Sequence, residues 1–128
     1  MKITIKGQPK SQKRHRTSGH RRYDPSANDK KTIRTQLLTI KPPSPLQGKF
    51  GVVIRAYFET PTSWSDKKRE DHEGCFRAKT PDVDNIEKIL FDAMNDYILA
   101  DDKMIVYSSV SKYYSVNPRT EIEINEFG

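Results

Sequence analysis

The chain has 128 residues, a formal charge of +6, and nearly as many charged side chains (31%) as hydrophobic ones (34%). That size suits a single domain over 1–128 with a modest core, and no apolar run is long enough to span a bilayer. One cysteine, Cys75, excludes an intrachain disulfide framework and fits a reducing cytoplasm.

The alternation Lys2-Ile3-Thr4-Ile5-Lys6 predicts a first strand, not the apolar block of a signal peptide. Gly7 and Pro9 end it. Residues 8–25 are then basic and poorly periodic, which predicts a mobile loop that an anion would order. Residues 1–36 carry 11 Lys and Arg against two acids, whereas the rest carry 12 against 15. Positive potential concentrated in this way usually meets phosphate backbones, though a solubilising tail has the same composition.

Ser26 with Asp29 three residues on resembles a helix start, and Ile33, Leu37 and Ile40 give it an apolar stripe that Pro42-Pro43 stops. Residues 49–58 alternate, with Phe50, Val52, Ile54, Ala56 and Phe58 on one face, and predict a strand. Residues 60–79 hold Pro61, Gly74 and dense charge, so they predict a long loop. Residues 84–97 place Ile86, Ile89, Leu90, Ala93, Met94 and Tyr97 on one helical stripe. Phe91 falls off that stripe and reads as a lone exposed side chain or a dimer contact. Two strands, 104–114 and 119–125, come next around Asn117-Pro118-Arg119. The order β-α-β-α-β-β predicts an α+β, two-layer fold: a mixed sheet with helices on one face.

The chemistry gathers in 82–102. In an extended approach Asp82 and Asp84 point the same way, and on the helix Asp84, Lys88 and Asp92 share a face. Asp84 and Lys88 lie opposite the apolar stripe, aimed away from the core. Asp101-Asp102 come just past the helix and can return to the first pair if the next strand runs beside it. Carboxylate oxygens bind hard cations such as Mg²⁺. Such a site can activate water and clamp a phosphate, with Lys88 as a fixed charge near the transition state and Asp92 holding the lysine. The same residues also read as an N-cap at Asp84, a favourable charge at the helix dipole, a Lys88–Asp92 surface pair and a solvated turn. Spacing alone leaves both readings open. An EF-hand does not fit, because Ile86 stands where a ligand is needed. His15, His20, His72 and Cys75 match no common zinc spacing. The first two suit phosphate contacts; Tyr23 and Trp64 suit base stacking, or for Trp64 a core edge.

Residues Lys79-Thr80-Pro81-Asp82-Val83-Asp84-Asn85-Ile86-Glu87-Lys88, then Phe91-Asp92-Ala93-Met94-Asn95 and Asp101-Asp102-Lys103-Met104-Ile105, resemble the signature of the RusA-type Holliday junction resolvases. The pattern is D-x-D-N-x-x-K, a D-A-[LM] step and a D-D-x-x-[IV] pair, and the likeness runs over 79–112. Lys112 resembles a late family lysine. The resemblance implies a homodimeric endodeoxyribonuclease that nicks four-way DNA junctions in recombination and repair. Its cofactor would be Mg²⁺, or Mn²⁺. It assigns the essential carboxylates to Asp82, Asp84 and Asp102, with Asp101 as their neighbour at the metal, and the catalytic lysine to Lys88. Expected DNA contacts are Lys10, Lys13, Arg14, Arg16, Arg21, Arg22, Lys79 and Lys112. A prophage origin and the cytoplasm of a bacterial or phage-infected cell fit the same family. Pro81 and the charged loop 60–79 depart from its pattern and bear on DNA contacts. A non-catalytic DNA-binding protein and a nuclease for other branched DNA are the alternatives.

Overall fold

The computed structural model describes residues 1–13, 16–18 and 21–128, and only the backbone at 16–18 and 21–22. Arg14, His15 and His20 therefore lie outside the described residues, and so do the side chains of Arg16, Arg21 and Arg22.

A four-stranded sheet carries the fold, built from β1 (Lys2–Lys6), β4 (Lys49–Glu59), β5 (Ile105–Ser115) and β6 (Arg119–Phe127) in the order β1-β6-β4-β5. It is mixed, as expected: β4 and β5 run parallel, while β6 is antiparallel to both β1 and β4. Helices α1 (Ala27–Leu37) and α3 (Val83–Met94) cover one face. Ile3, Ile5, Val52, Ile54, Ala56, Phe58, Ile122 and Ile124 of the sheet are buried under Ile33 and Leu37 of α1 and the stripe of α3. Full burial of each large aliphatic side chain contributes about 1.5–3 kcal/mol, so this apolar layer is what seats both helices.

The two segments expected to be loops contain structure. Strands β2 (Arg16–Ser18) and β3 (Arg21–Tyr23) pair as a hairpin inside the basic segment. Helix α2 (Asp66–His72) occupies part of 60–79, with the Ser65 hydroxyl accepting the Lys68 N–H at its start. None of its residues is buried, so it has no apolar stripe for periodicity to detect. The expected order is corrected to β-β-β-α-β-α-α-β-β.

Three helix ends also differ. The start expected at Ser26 forms without its side-chain cap, because the Ser26 hydroxyl accepts the Lys13 N–H instead. Helix α3 stops at Met94, three residues before Tyr97. Asn95 leaves helical geometry and Asp96 takes a positive φ of 67°, turning the chain so that Ile98 and Leu99 enter the core. Ile40, placed on the α1 stripe, lies beyond its end and is exposed. Phe91, expected outside, packs half-buried against the core.

A polar network joins α1, α3 and the basic segment. Lys30 Nζ lies 2.6 Å from Asp24 Oδ2 and 3.2 Å from Asp92 Oδ2. Asp24 Oδ1 also accepts from Gln12 and from the Ser26 N–H. Arg34 donates to the backbone carbonyls of Asp92 and Ala93. Asp92 is thus engaged by Lys30 rather than by Lys88. The Lys30 hydrogen bond, aided by Ser26 and Gln12 against some desolvation, holds the Asp24 carboxyl down at about 2. Burial alone would lower the Lys30 ammonium, but its bonds to Asp24 and Asp92 outweigh that and raise it.

Asp24→Asn should therefore cost about 1–2 kcal/mol at neutral pH. The folded carboxyl titrates below its ordinary value of 3.8, so its contribution is complete above that value and disappears as pH falls toward about 2. Urea denaturation of both proteins should show the gap at pH 7 and its narrowing below about pH 4.

Candidate active site

The approach to α3 is laid down by the far side of β5. Residues 74–77 add to that strand: Gly74 N–H donates to Tyr114 O, Tyr114 N–H to Cys75 O, and Arg77 N–H to Lys112 O. Phe76 and Tyr113 form an antiparallel bridge and stack at 5.2 Å. The chain then turns over 79–81 to reach Asp82. Lys112 Nζ donates to the carbonyls of Lys79 (2.6 Å) and Pro81 (2.9 Å), and Arg77 Nη1 to that of Thr80 (2.8 Å).

Asp82 is the N-cap of α3, two residues ahead of the cap expected at Asp84. Its backbone is extended (φ −73°, ψ 152°) and its carbonyl accepts the Asn85 and Ile86 N–H groups. Its side chain makes no capping bond, so the exposed carboxylate is not engaged in holding the helix. Asp84, in the first turn, accepts the Asn85 N–H at 3.0 Å and is otherwise open to solvent. Lys88, one turn on, is exposed as well. The apolar stripe of α3 faces the sheet, so Asp84 and Lys88 face outward together, as their spacing predicts.

The second acidic pair lies beside this helix. Asp102 opens a short 3-10 turn over Asp102–Met104 that packs against α3. Asp101 caps that turn through the Lys103 N–H at 2.9 Å. This bond, opposed by slight desolvation and helped by the Asp102 carboxyl, lowers the Asp101 pKa. Glu87 of α3 accepts from the Ser108 hydroxyl at 2.7 Å, tying the helix to β5 directly after the turn.

Among the described residues, no three His, Cys, Asp or Glu side chains already stand close enough to share one metal ion. The donor set itself is all carboxylate oxygen on adjoining elements. That chemistry suits a hard divalent cation. His72 and Cys75 are engaged elsewhere. The His72 ring lies 4.7 Å from that of Trp64, which in turn packs on Tyr114 at the sheet edge, and the Cys75 thiol faces the Asp71 carbonyl.

The basic segment is rooted at the same place. Gln12 N–H donates to Asn85 O in the first turn of α3, and Lys13 and Lys79 are exposed nearby in the chain. Lys10 lies 3.7 Å from Asp29. Arg77 was not singled out by the sequence. Only its place two residues before Lys79 in the signature region could have drawn notice to it. No helix among the described residues is long and apolar enough to cross a membrane.

A family model described as endodeoxyribonuclease RusA matches residues 5–125. The uncharacterized protein YqaN of Bacillus subtilis (strain 168) is 34% identical over 137 residues, spanning 98% of this chain and 96% of that protein.

Because the Asp82 side chain holds no structural bond, Asp82→Asn should alter stability by less than about 1 kcal/mol, the size of a helix-dipole charge effect. Thermal unfolding of the variant checks this. A loss of several kcal/mol would restore a structural role for the carboxylate.

Proposed function

The chain belongs to the RusA endodeoxyribonuclease family, and on that premise we propose that it nicks four-way DNA junctions as a Mg²⁺-dependent homodimer. The observation that carries the reading is the Asp82 carboxylate. It stands at the mouth of α3 without a structural partner, beside outward-facing Asp84 and Lys88 and next to the root of a basic hairpin.

Asp82, Asp84 and Asp102, with Asp101 beside them, would hold the cation. When bound, Mg²⁺ would supply the Lewis acidity and the activated water for attack on the scissile phosphate. Lys88 sits one helical turn from Asp84 and would place a fixed positive charge beside the phosphate as negative charge builds on it. Arg14, the hairpin residues Arg16, Arg21 and Arg22, and Lys10, Lys13 and Lys79 would hold the flanking phosphates. A four-way junction needs two matched cuts, and a C₂ pair of sites provides them. Recombination and repair in a bacterial or phage-infected cytoplasm is the setting this substrate implies.

Three measurements test the reading. With a synthetic junction and Mg²⁺, Asp82→Asn should lose about 10³-fold in cleavage rate or more while keeping its binding. Cutting at the wild-type rate would leave a DNA-binding protein with structural acids. Junction, flap and linear duplex supplied in competition should be cut in that order; equal cutting of duplex would overturn the junction assignment. Millimolar Mg²⁺ or Mn²⁺ should also raise the melting temperature, since a ligand that binds only the folded chain stabilises it by mass action.

A further inference from the structure

Resting on that nuclease reading, we propose that Arg77 and Lys112 are positioning residues: a two-cation clamp that fixes the Lys79–Pro81 turn and so aims the Asp82 carboxylate. The three successive carbonyls of this turn precede α3 and take no helical hydrogen bond. All three are met by cations. Lys112 Nζ bridges the first and third at 2.6 and 2.9 Å, and Arg77 Nη1 takes the second at 2.8 Å while reaching the first at 3.4 Å.

The two cations are themselves held. Arg77 N–H donates to Lys112 O, so the residues are joined across the edge of β5. The Arg77 guanidinium lies 4.3 Å from the centre of the Phe58 ring, a geometry in which a planar cation is attracted to the ring face. Lys112 stands in register with the buried Ala56 of β4. Two of the three Lys112 ammonium donors are committed to the turn. Hydrogen bonds to charged donors are stronger than neutral ones. A catalytic carboxylate must also be held to a fraction of an ångström to work. The Asp82 side chain has no capping bond to fix it, so the backbone ahead of it must do so.

The test uses the full-length protein and four variants: Lys112→Met, Arg77→Met, Arg77→Lys and Lys112→Arg. Backbone ¹⁵N relaxation should show lowered order at Lys79, Thr80 and Asp82 in both methionine variants, with the core strands unchanged. Order unchanged from wild type in both would overturn the clamp. In cleavage, the methionine variants should lose about tenfold or more in kcat. Their half-saturating Mg²⁺ concentration should rise, and junction affinity should stay within about twofold with the salt slope unchanged. Arg77→Lys and Lys112→Arg, which keep a charged donor, should recover part of kcat. A Lys112→Met variant with weaker junction binding, a shallower salt slope and normal kcat would instead make Lys112 a phosphate contact and overturn its positioning role. If wild type cuts no junction while the variants still loosen the turn, the nuclease reading fails and the structural clamp stands.

Discussion

Everything in this molecule depends on the burial of one face of α3. Ile86, Ile89, Leu90, Ala93 and Met94 lie against the sheet and under α1, and no rotation of the helix keeps them dry in another way. Once that face is fixed, a period of about 3.6 residues puts Asp84 and Lys88 in solvent on the same side. The outward chemistry is therefore a by-product of inward packing. The core does not have to tolerate a charge, and the acids do not have to be desolvated to be placed.

Packing fixes rotation but leaves the ends of a helix free to fray, and polar groups act there. At the C-terminal end Arg34 takes the carbonyls of Asp92 and Ala93, and Lys30 takes the Asp92 side chain. These cations also suit the negative end of the helix dipole. At the N-terminal end the work is divided between Gln12, which bonds Asn85 O, and the cations that grip the turn ahead of Asp82. The segment that carries the basic hairpin and the helix that carries the acids therefore share one anchorage.

Periodicity was legible in the sequence, and long-range pairing largely was not. The strand at 49–59, the two strands near the C-terminus and the apolar stripe of α3 could be read because alternation and helical spacing report burial directly. Helix α2 could not, because it buries nothing and is held by polar and edge contacts: the Ser65 cap, the Arg69 bond to the Thr60 hydroxyl and the His72 ring beside Trp64 and Tyr114. The end of α3 was missed for a related reason: Tyr97 continues the stripe, but the turn at Asn95-Asp96 brings Ile98 and Leu99 inward. At the site, the positions of Asp82, Asp84 and Lys88 came from spacing. The partners of Asp92 and Lys112 could not, since Lys30 and Lys79 lie far from them in the chain.

That distinction bears on how the positive charge should be read. A surplus of cations in the first third of the chain suggests phosphate binding, but among the described side chains of the whole chain some cations are already engaged within the fold and others stand free. Lys30 and Arg34 are directed inward to α3, as are Arg77 and Lys112 later in the chain to the turn before it. Lys13, Lys79 and Lys88 stand exposed near the mouth of α3. A cation bonded to a carboxylate or carbonyl loses that bond if it turns to a phosphate, so its contribution to DNA affinity is reduced by the bond it gives up. Charge composition alone therefore does not separate the cations free to meet a phosphate from those already bonded within the fold.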